Sequence, residues 1–262
     1  MYLTVLKITA FIYLGAFVCF LAAVFLRKKT AVFFAQGMGG LGLLCNTYVL
    51  FLRWRQTGNL PFTNIYEALI LFALITFVLY GIAWRKNDTG ISGACVALIA
   101  FVSIWYASFF DTSVKHLMPA LRCKWIFVHV SSYMIGYASL ALSFIASGIY
   151  LCVPSKNIRS EFAVTLDNAA YKLIMLAMPF ITVGLTTGSV WAYIAWGRYW
   201  GWDPKETCSL ISWFIYVIYI HGRVLRGWKG RIPAVVAVAG FFAVIFTFIG
   251  VTFFLKGLHS YR

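Results

Sequence analysis

Residues 196–207 read WGRYWGWDPKET: three tryptophans, a tyrosine, an arginine and a lysine within twelve positions, between two long apolar stretches. Amphipathic rings are common at a membrane boundary, but this density is not. Trp196, Tyr199, Trp200 and Trp202 are placed to form a wide, flat aromatic ledge. Arg198 and Lys205 are placed to meet carboxylates beside it. Such a ledge suits a planar, apolar ligand with an acidic edge.

Haem is a ligand of that shape, and its iron takes axial ligands from opposite sides of the porphyrin, neutral imidazole being a common choice. The chain has four histidines, His116, His129, His221 and His259. His129 and His259 are the pair best placed to flank a haem lying along the tryptophans, with His116 as a rival. Each has a plainer reading as a polar residue at a helix end. His129, Tyr133, Gly136 and Leu140 share one helical face, and Gly136 leaves room beside it. His221 stands apart. No other histidine falls on its side of the membrane, so it either takes an axial partner from another polypeptide or serves as a gate or hydrogen-bonding residue. Asp203 and Glu206 also have a plain reading, because Asp203-Pro204-Lys205-Glu206 has the spacing of an N-cap, a proline at the first helical position and a capping-box glutamate. Asn64 and Glu67 carry the same spacing in PFTNIYEAL.

Other chemistries are not supported. No Ser-His-Asp order with an elbow motif, zinc spacing or phosphate cradle is present. Gly37, Gly39, Gly40 and Gly42 lack a following Gly-Lys-Ser/Thr and read as close helix packing. The six cysteines are scattered without a C-x-x-C. A Cys123–Cys208 disulfide is compatible with their places near segment ends.

The elements that must position these residues follow from composition. The chain is 62% hydrophobic and 11% charged over 262 residues, against roughly half apolar and a quarter charged in a soluble domain. Its mean hydropathy is +0.86. The net charge of +15 comes from short clusters between apolar spans, the pattern of membrane-flanking loops rather than of a nucleic-acid surface. A chain in lipid must satisfy its own backbone, which favours helices, and a span takes about 20 residues. The fold class is therefore all-α: a polytopic integral membrane protein with about eight transmembrane helices. The spans are expected near 5–26, 33–52, 65–84, 91–110, 125–152, 170–191, 207–223 and 232–255. The first reads as an uncleaved anchor, since Arg27-Lys28-Lys29 follows it. Residues 154–169 read as the most polar linker. No repeat or separate soluble domain is visible, so 1–262 is read as a single transmembrane domain.

Parity puts the loop before span five, the loop between spans six and seven, and the tail after span eight on one side of the membrane. Thus His129, His259 and the tryptophan loop share a face, and His221 lies toward the other. Eleven Lys/Arg (twelve with Lys172) fall on the His221 side and ten on the opposite side. The Arg27 cluster and the run Arg223, Arg226, Lys229 and Arg231 tip the orientation, with the tryptophan loop outside.

WGRYWGWDPKETCSLISWFIYVIYIHGR resembles the tryptophan-rich WWD signature of haem-handling membrane proteins. With the terminal GLHSY, LMPALRCKWIFVHV before span five and PFTNIYEAL before span three, it is similar to the CcsA/ResC family of system II cytochrome c biogenesis. The match spans residues 60–262, with the WWD segment at 191–207. Cys208 departs from it, where the family usually has Trp after KET. The resemblance implies haem delivery to apocytochrome c for covalent thioether attachment, by a CcsA-type subunit that makes a cytochrome c synthase only with a CcsB/ResB-type partner. It implies haem b as the bound substrate, His129 and His259 as external axial ligands of its iron, and His221 as one ligand of an intramembrane site completed by the partner. Trp191, Trp196, Tyr199, Trp200, Trp202 and Asp203 would line the porphyrin site, with Arg198, Lys205 and Arg122 as candidates for the propionates. Other implied partners are the C-x-x-C-H segment of apocytochrome c and a thioredoxin-like thiol reductant. The host membrane would be a bacterial inner membrane or a plastid thylakoid, with the WWD loop facing periplasm or lumen. The alternatives are a haem exporter without a ligation role and a haem b electron-transfer subunit.

Overall fold

The structure is a computed structural model that describes residues 2–84, 90–113, 121, 123–255 and 257–258. The described residues form helices and connecting turns, with no strand among them. Among the described residues eight principal helices follow one another: α1 (Tyr2–Leu26), α2 (Lys29–Thr57), α3 (Ile65–Trp84), α4 (Ile91–Ala107), α5 (Lys124–Cys152), α6 (Glu161–Trp196), α7 (Pro204–Leu225) and α8 (Arg231–Phe254). Seven are long and apolar enough to cross a membrane; α4, at 17 residues, is the shorter apolar helix. At 1.5 Å per residue α4 reaches only about 25 Å, short of a hydrocarbon core of about 30 Å. Within α8, Phe246–Gly250 forms a π-helical turn. The chain divides into two compact units, Met1–Met118 and Pro119–Arg262.

In the first unit, α1 packs on α2 and α4, and α3 packs on α4 and α2. Lipid gives helices no hydrophobic reason to associate, so close fit must supply the attraction. Two of the four α2 glycines do this. A side chain at Gly39 would collide with the Phe77 ring, and a Cβ at Gly42 would lie 2.9 Å from the Tyr13 ring. Gly37 and Gly40 face open space. At one end of the unit, buried Arg53 donates from Nε to Glu67 Oε1 at 2.8 Å and from Nη1 to the Thr112 carbonyl at 2.8 Å. Glu67 Oε2 accepts from the Thr63 amide at 3.0 Å and hydroxyl at 2.8 Å. Asn64 caps α3 through the Glu67 amide, 2.8 Å away. The Glu67 carboxylate thus pairs a buried cation and closes the turn before the helix.

In the second unit, α5 lies along α6 and also packs on α8, while α7 packs on α8 and α6. The polar linker expected over 154–169 is mostly helix, because α6 begins at Glu161. Ser160 caps it by accepting from the Ala163 amide at 3.3 Å, and Glu161 opens the first turn with the charge that a helix N-terminus favours. Its 36 residues extend roughly 54 Å, so the first turns lie beyond a bilayer core and need not be apolar. At the far end α6 runs past Trp191 to Trp196 and stops at Gly197, whose φ of 74° and N–H bond to the Tyr193 carbonyl close the last turn. The interhelical loop therefore shrinks to residues 197–203. All six cysteines, Cys123 and Cys208 included, are free thiols, so the disulfide considered from sequence does not form.

Candidate functional site

His129 lies one turn into α5, half-buried against α6, and its Nδ1 stands 2.8 Å from the Gly184 carbonyl oxygen. A carbonyl can only accept, so Nδ1 carries the proton and, in the neutral ring, Nε2 carries the lone pair. Metal-binding imidazoles are characteristically oriented in this way, by a hydrogen bond from the nitrogen that does not bind. The approach requires missing side chains on α6. A Cβ at Gly188 would lie 2.5 Å from His129 Nδ1, and one at Gly184 would lie 2.8 Å from the Tyr133 ring. His129 and Tyr133 are one turn apart on α5, with rings edge-to-face at 5.1 Å. The two side chains occupy the space left by two glycines one turn apart on α6. Gly136 continues this close packing, since its Cβ would lie 2.6 Å from Ile181.

Trp191, further along α6 and 3% exposed, lies nearly parallel to the imidazole, with centroids 6.0 Å apart and planes at 24°. Trp196 meets Trp191 edge-on at 4.9 Å and 67°. Tyr199 stacks on Tyr193 at 4.5 Å and 9°. Trp200 and Trp202 stand at right angles, 5.7 Å apart. Among the described residues, Trp191 and Trp196 meet at 67° and Trp200 and Trp202 at 90°, so these rings do not share the single flat plane anticipated from their spacing. The Arg198 guanidinium lies over Gly201, where a side chain would displace it.

The loop is shaped by the start of α7. Asp203 and Glu206 make the capping box that their spacing predicts. Glu206 Oε2 accepts from both the Gly201 amide (2.8 Å) and the Asp203 amide (3.1 Å). Those two amides flank Trp202, whose φ is 56°. The left-handed region costs an L-residue roughly 1–2 kcal/mol. The Glu206 carboxylate holds the backbone there, and the Trp202 ring remains 69% exposed. Strain at an exposed, bulky residue is characteristic of functional loops.

Asp203, 6% exposed, has a second contact that its capping role did not suggest. Its Oδ1 accepts from the Lys205 amide at 3.0 Å, and its Oδ2 accepts from the Leu258 amide at 2.6 Å. Lys205 Nζ lies 3.5 Å from the Thr252 hydroxyl of α8. The α7 start and the tail after α8 therefore meet at the end of the unit where α6 closes, as the crossing parity requires. His259, His116 and Arg122 lie outside the described residues.

His221 is exposed near the other end of α7. Sixteen residues separate it from Lys205, roughly 24 Å along the helix, so it lies at the opposite end of α7 from the tryptophan-rich loop. Its helix end is fixed by Arg223. That residue's Nη1 donates to both Asp167 carboxylate oxygens at 2.9 and 2.8 Å, and its guanidinium lies 4.9 Å from the Tyr171 ring centre. The Gly230 amide donates to the same carboxylate at 3.4 Å.

Among the described residues no three His, Cys, Asp or Glu side chains gather as a metal-binding group. An iron already held by four porphyrin nitrogens needs only axial ligands, and an imidazole with a fixed tautomer beside aromatic rings fits that demand.

Fold and site together define a class: a polytopic helical membrane protein that presents an oriented imidazole beside a strained, tryptophan-rich loop. The chain matches the family model described as Cytochrome C assembly protein over residues 62–259. It is 35% identical to "Cytochrome c biogenesis protein CcsA" of Chlamydomonas reinhardtii over 238 residues, covering 86% of this chain and 67% of that one. To the CcsA of Gloeobacter violaceus it is 33% identical, covering 92% of this chain and 90% of that one. To that of Prochlorococcus marinus (strain NATL2A) it is 37% identical, covering 82% and 80%. The chain belongs to the cytochrome c assembly protein family and, within it, to the CcsA proteins. Its fold resembles the solved structure titled "Cytochrome c Heme Lyase CcmF", with a TM-score of 0.69 at 16% identity. That likeness covers 95% of this chain and 47% of CcmF, so the chain spans about half of that protein.

Proposed function

We propose that the chain binds haem b as a substrate and presents it to apocytochrome c for thioether attachment, as the CcsA-type subunit of a membrane cytochrome c synthase. The observation that carries this reading is the His129 imidazole, its proton held on Nδ1 by the Gly184 carbonyl and its ring backed by Trp191. His129 and His259 are assigned as the two axial ligands of the external haem. Trp196, Tyr199, Trp200 and Trp202 are assigned to the porphyrin, and Arg198 and Lys205 to its propionates. His221 is assigned to a second site nearer the opposite face, completed by a histidine of a CcsB/ResB-type subunit. The whole chain, 1–262, acts as one haem-handling domain, although every site residue described falls in its second unit.

The contribution of this chain is orientation. Two imidazoles fix the iron, and the aromatic side chains fix the rotation of the ring about it, so that the vinyl groups face the C-x-x-C-H thiols. Each thiol adds across one vinyl double bond. A C–S and a C–H bond form while an S–H bond and the C=C π bond are lost, so the addition is redox-neutral. The thiols must arrive reduced, which calls for a thioredoxin-like reductant. The membrane is a bacterial inner membrane or a thylakoid, with the loop on the periplasmic or lumenal side.

Co-expression with the partner subunit and an apocytochrome c tests the synthase reading. Covalent haem on the cytochrome, seen by haem stain after denaturing electrophoresis, is expected for the wild type and lost in His129→Ala. Haem export to the outer face without covalent product would favour the exporter reading instead.

A further inference from the structure

The geometry points to Asp203 as a positioning residue: we propose that its carboxylate holds the C-terminal tail against the start of α7 and so presents His259 to the loop. This rests on the haem reading above for its consequence, but not for its geometry.

A capping aspartate needs only the amides of its own helix. Asp203 uses Oδ1 for that purpose, on the Lys205 amide at 3.0 Å. Oδ2 instead accepts from the Leu258 amide at 2.6 Å, 55 residues away in sequence. The carboxylate is 6% exposed, and in such surroundings a charge-assisted bond to a backbone amide is about twice as strong as a neutral one. The partner segment is fitted to it. A side chain at Gly257 would collide with Asp203 Oδ2 and would lie 3.1 Å from Pro204 Cδ. Position 257 therefore lies directly against the first residues of α7, and a side chain there would push the tail away.

Leu258 is joined to His259 by one peptide bond. Of the described residues beyond Phe254, Leu255, Gly257 and Leu258 lie outside the helix, and the Leu255 amide still donates to the Val251 carbonyl of α8 at 3.1 Å. The Asp203 bond holds the chain immediately before the histidine. The same residue caps α7 and, through its amide, joins Glu206 in fixing Trp202. One side chain thus couples the loop's shape to the tail's position.

Asp203→Ser separates the two roles. Serine remains a good helix cap, but its side chain is too short to reach Leu258. Gly257→Ala attacks the same contact from the tail side while the capping aspartate is retained. Amide exchange at residue 258 in haem-free protein reads the contact directly, and both variants are expected to exchange at least tenfold faster than wild type. With haem bound, both are expected to lose the six-coordinate low-spin spectrum as His259→Gly does, and added imidazole is expected to restore it. Unchanged exchange at 258 in both variants overturns the proposal. So does faster exchange with a wild-type haem spectrum, provided His259→Gly itself alters that spectrum. If neither His129→Gly nor His259→Gly alters it, the haem reading fails and exchange alone decides whether Asp203 holds the tail.

Discussion

Gly188→Ala adds one carbon and two hydrogens, yet it should disable the proposed site. The new Cβ would lie 2.5 Å from His129 Nδ1 and 2.6 Å from Cε1, where ordinary contact begins at 3.4 Å. The difference between 3.4 and 2.5 Å requires the ring, or the α6 backbone, to retreat by about 0.9 Å. A shift of that size lengthens the 2.8 Å bond to the Gly184 carbonyl to beyond ordinary hydrogen-bond range and removes what fixes the tautomer. Overpacking of this kind costs about 1–3 kcal/mol, and loss of a bond that orients a metal ligand typically lowers metal affinity about 10–100-fold. Haem titration of the purified protein, followed through the Soret band, should show a loss of at least tenfold (about 1.4 kcal/mol). Gly148→Ala is the control. It lies in the interior of α5 with open space where its Cβ would fall, and alanine favours a helix over glycine by about 1 kcal/mol. The control should bind haem as wild type does. Wild-type affinity and spectrum in Gly188→Ala would refute the claim that the α6 glycines seat the iron-binding imidazole.

Trp202→Gly should relieve the left-handed backbone at φ 56°. Thermal stability in detergent should hold or rise while haem retention falls; a fall in both would mean that the exposed ring supports the fold. Glu206→Ala removes the acceptor shared by the Gly201 and Asp203 amides, so fluorescence of the loop tryptophans should shift and haem occupancy should drop, whereas unchanged fluorescence would mean that the loop holds its shape without the carboxylate. Arg223→Ala leaves Asp167, with its side chain 13% exposed, without its ion-pair partner, a loss of about 3 kcal/mol for a buried pair. Denaturation should show most of that loss recovered in Arg223→Ala/Asp167→Ala, and additive effects would contradict the pairing. Arg53→Ala breaks the 2.8 Å buried pair with Glu67 in the first unit. It should lower stability by a similar amount while leaving the haem spectrum of any folded protein unchanged.

Much of this architecture is legible in the sequence because lipid imposes a length and a composition on every span. The eight helices and the Asp203–Glu206 capping box follow from rules that act over one to twenty residues. The start of α6 was hidden because hydropathy registers lipid contact rather than helicity. Glu161 and Asp167 make 161–169 look like a linker, although Ser160 caps a helix there and Asp167 is paired with Arg223. Spacing located the tryptophans but not their planes, and the rings pair at 67° and 90° where one surface was anticipated. The glycine seat for His129 was illegible for a different reason. Gly184 and Gly188 stand 55 and 59 positions from His129, and only the packing of α5 on α6 brings them to it. The Asp203–Leu258 bond, across 55 residues, is hidden in the same way. A signal was nonetheless present: two glycines one turn apart in TVGLTTGSVW, in a span otherwise built of larger residues, mark a place where another helix comes close.

The most direct test is the absorption spectrum of haem-loaded protein purified with its partner subunit, for wild type, His129→Gly and His259→Gly, each with and without imidazole. Low-spin bis-imidazole bands are expected in the wild type, to be lost in each variant and regained when imidazole enters the vacated axial position. Identical low-spin bands in all three proteins without imidazole would contradict the account, because the iron would then be held by other side chains.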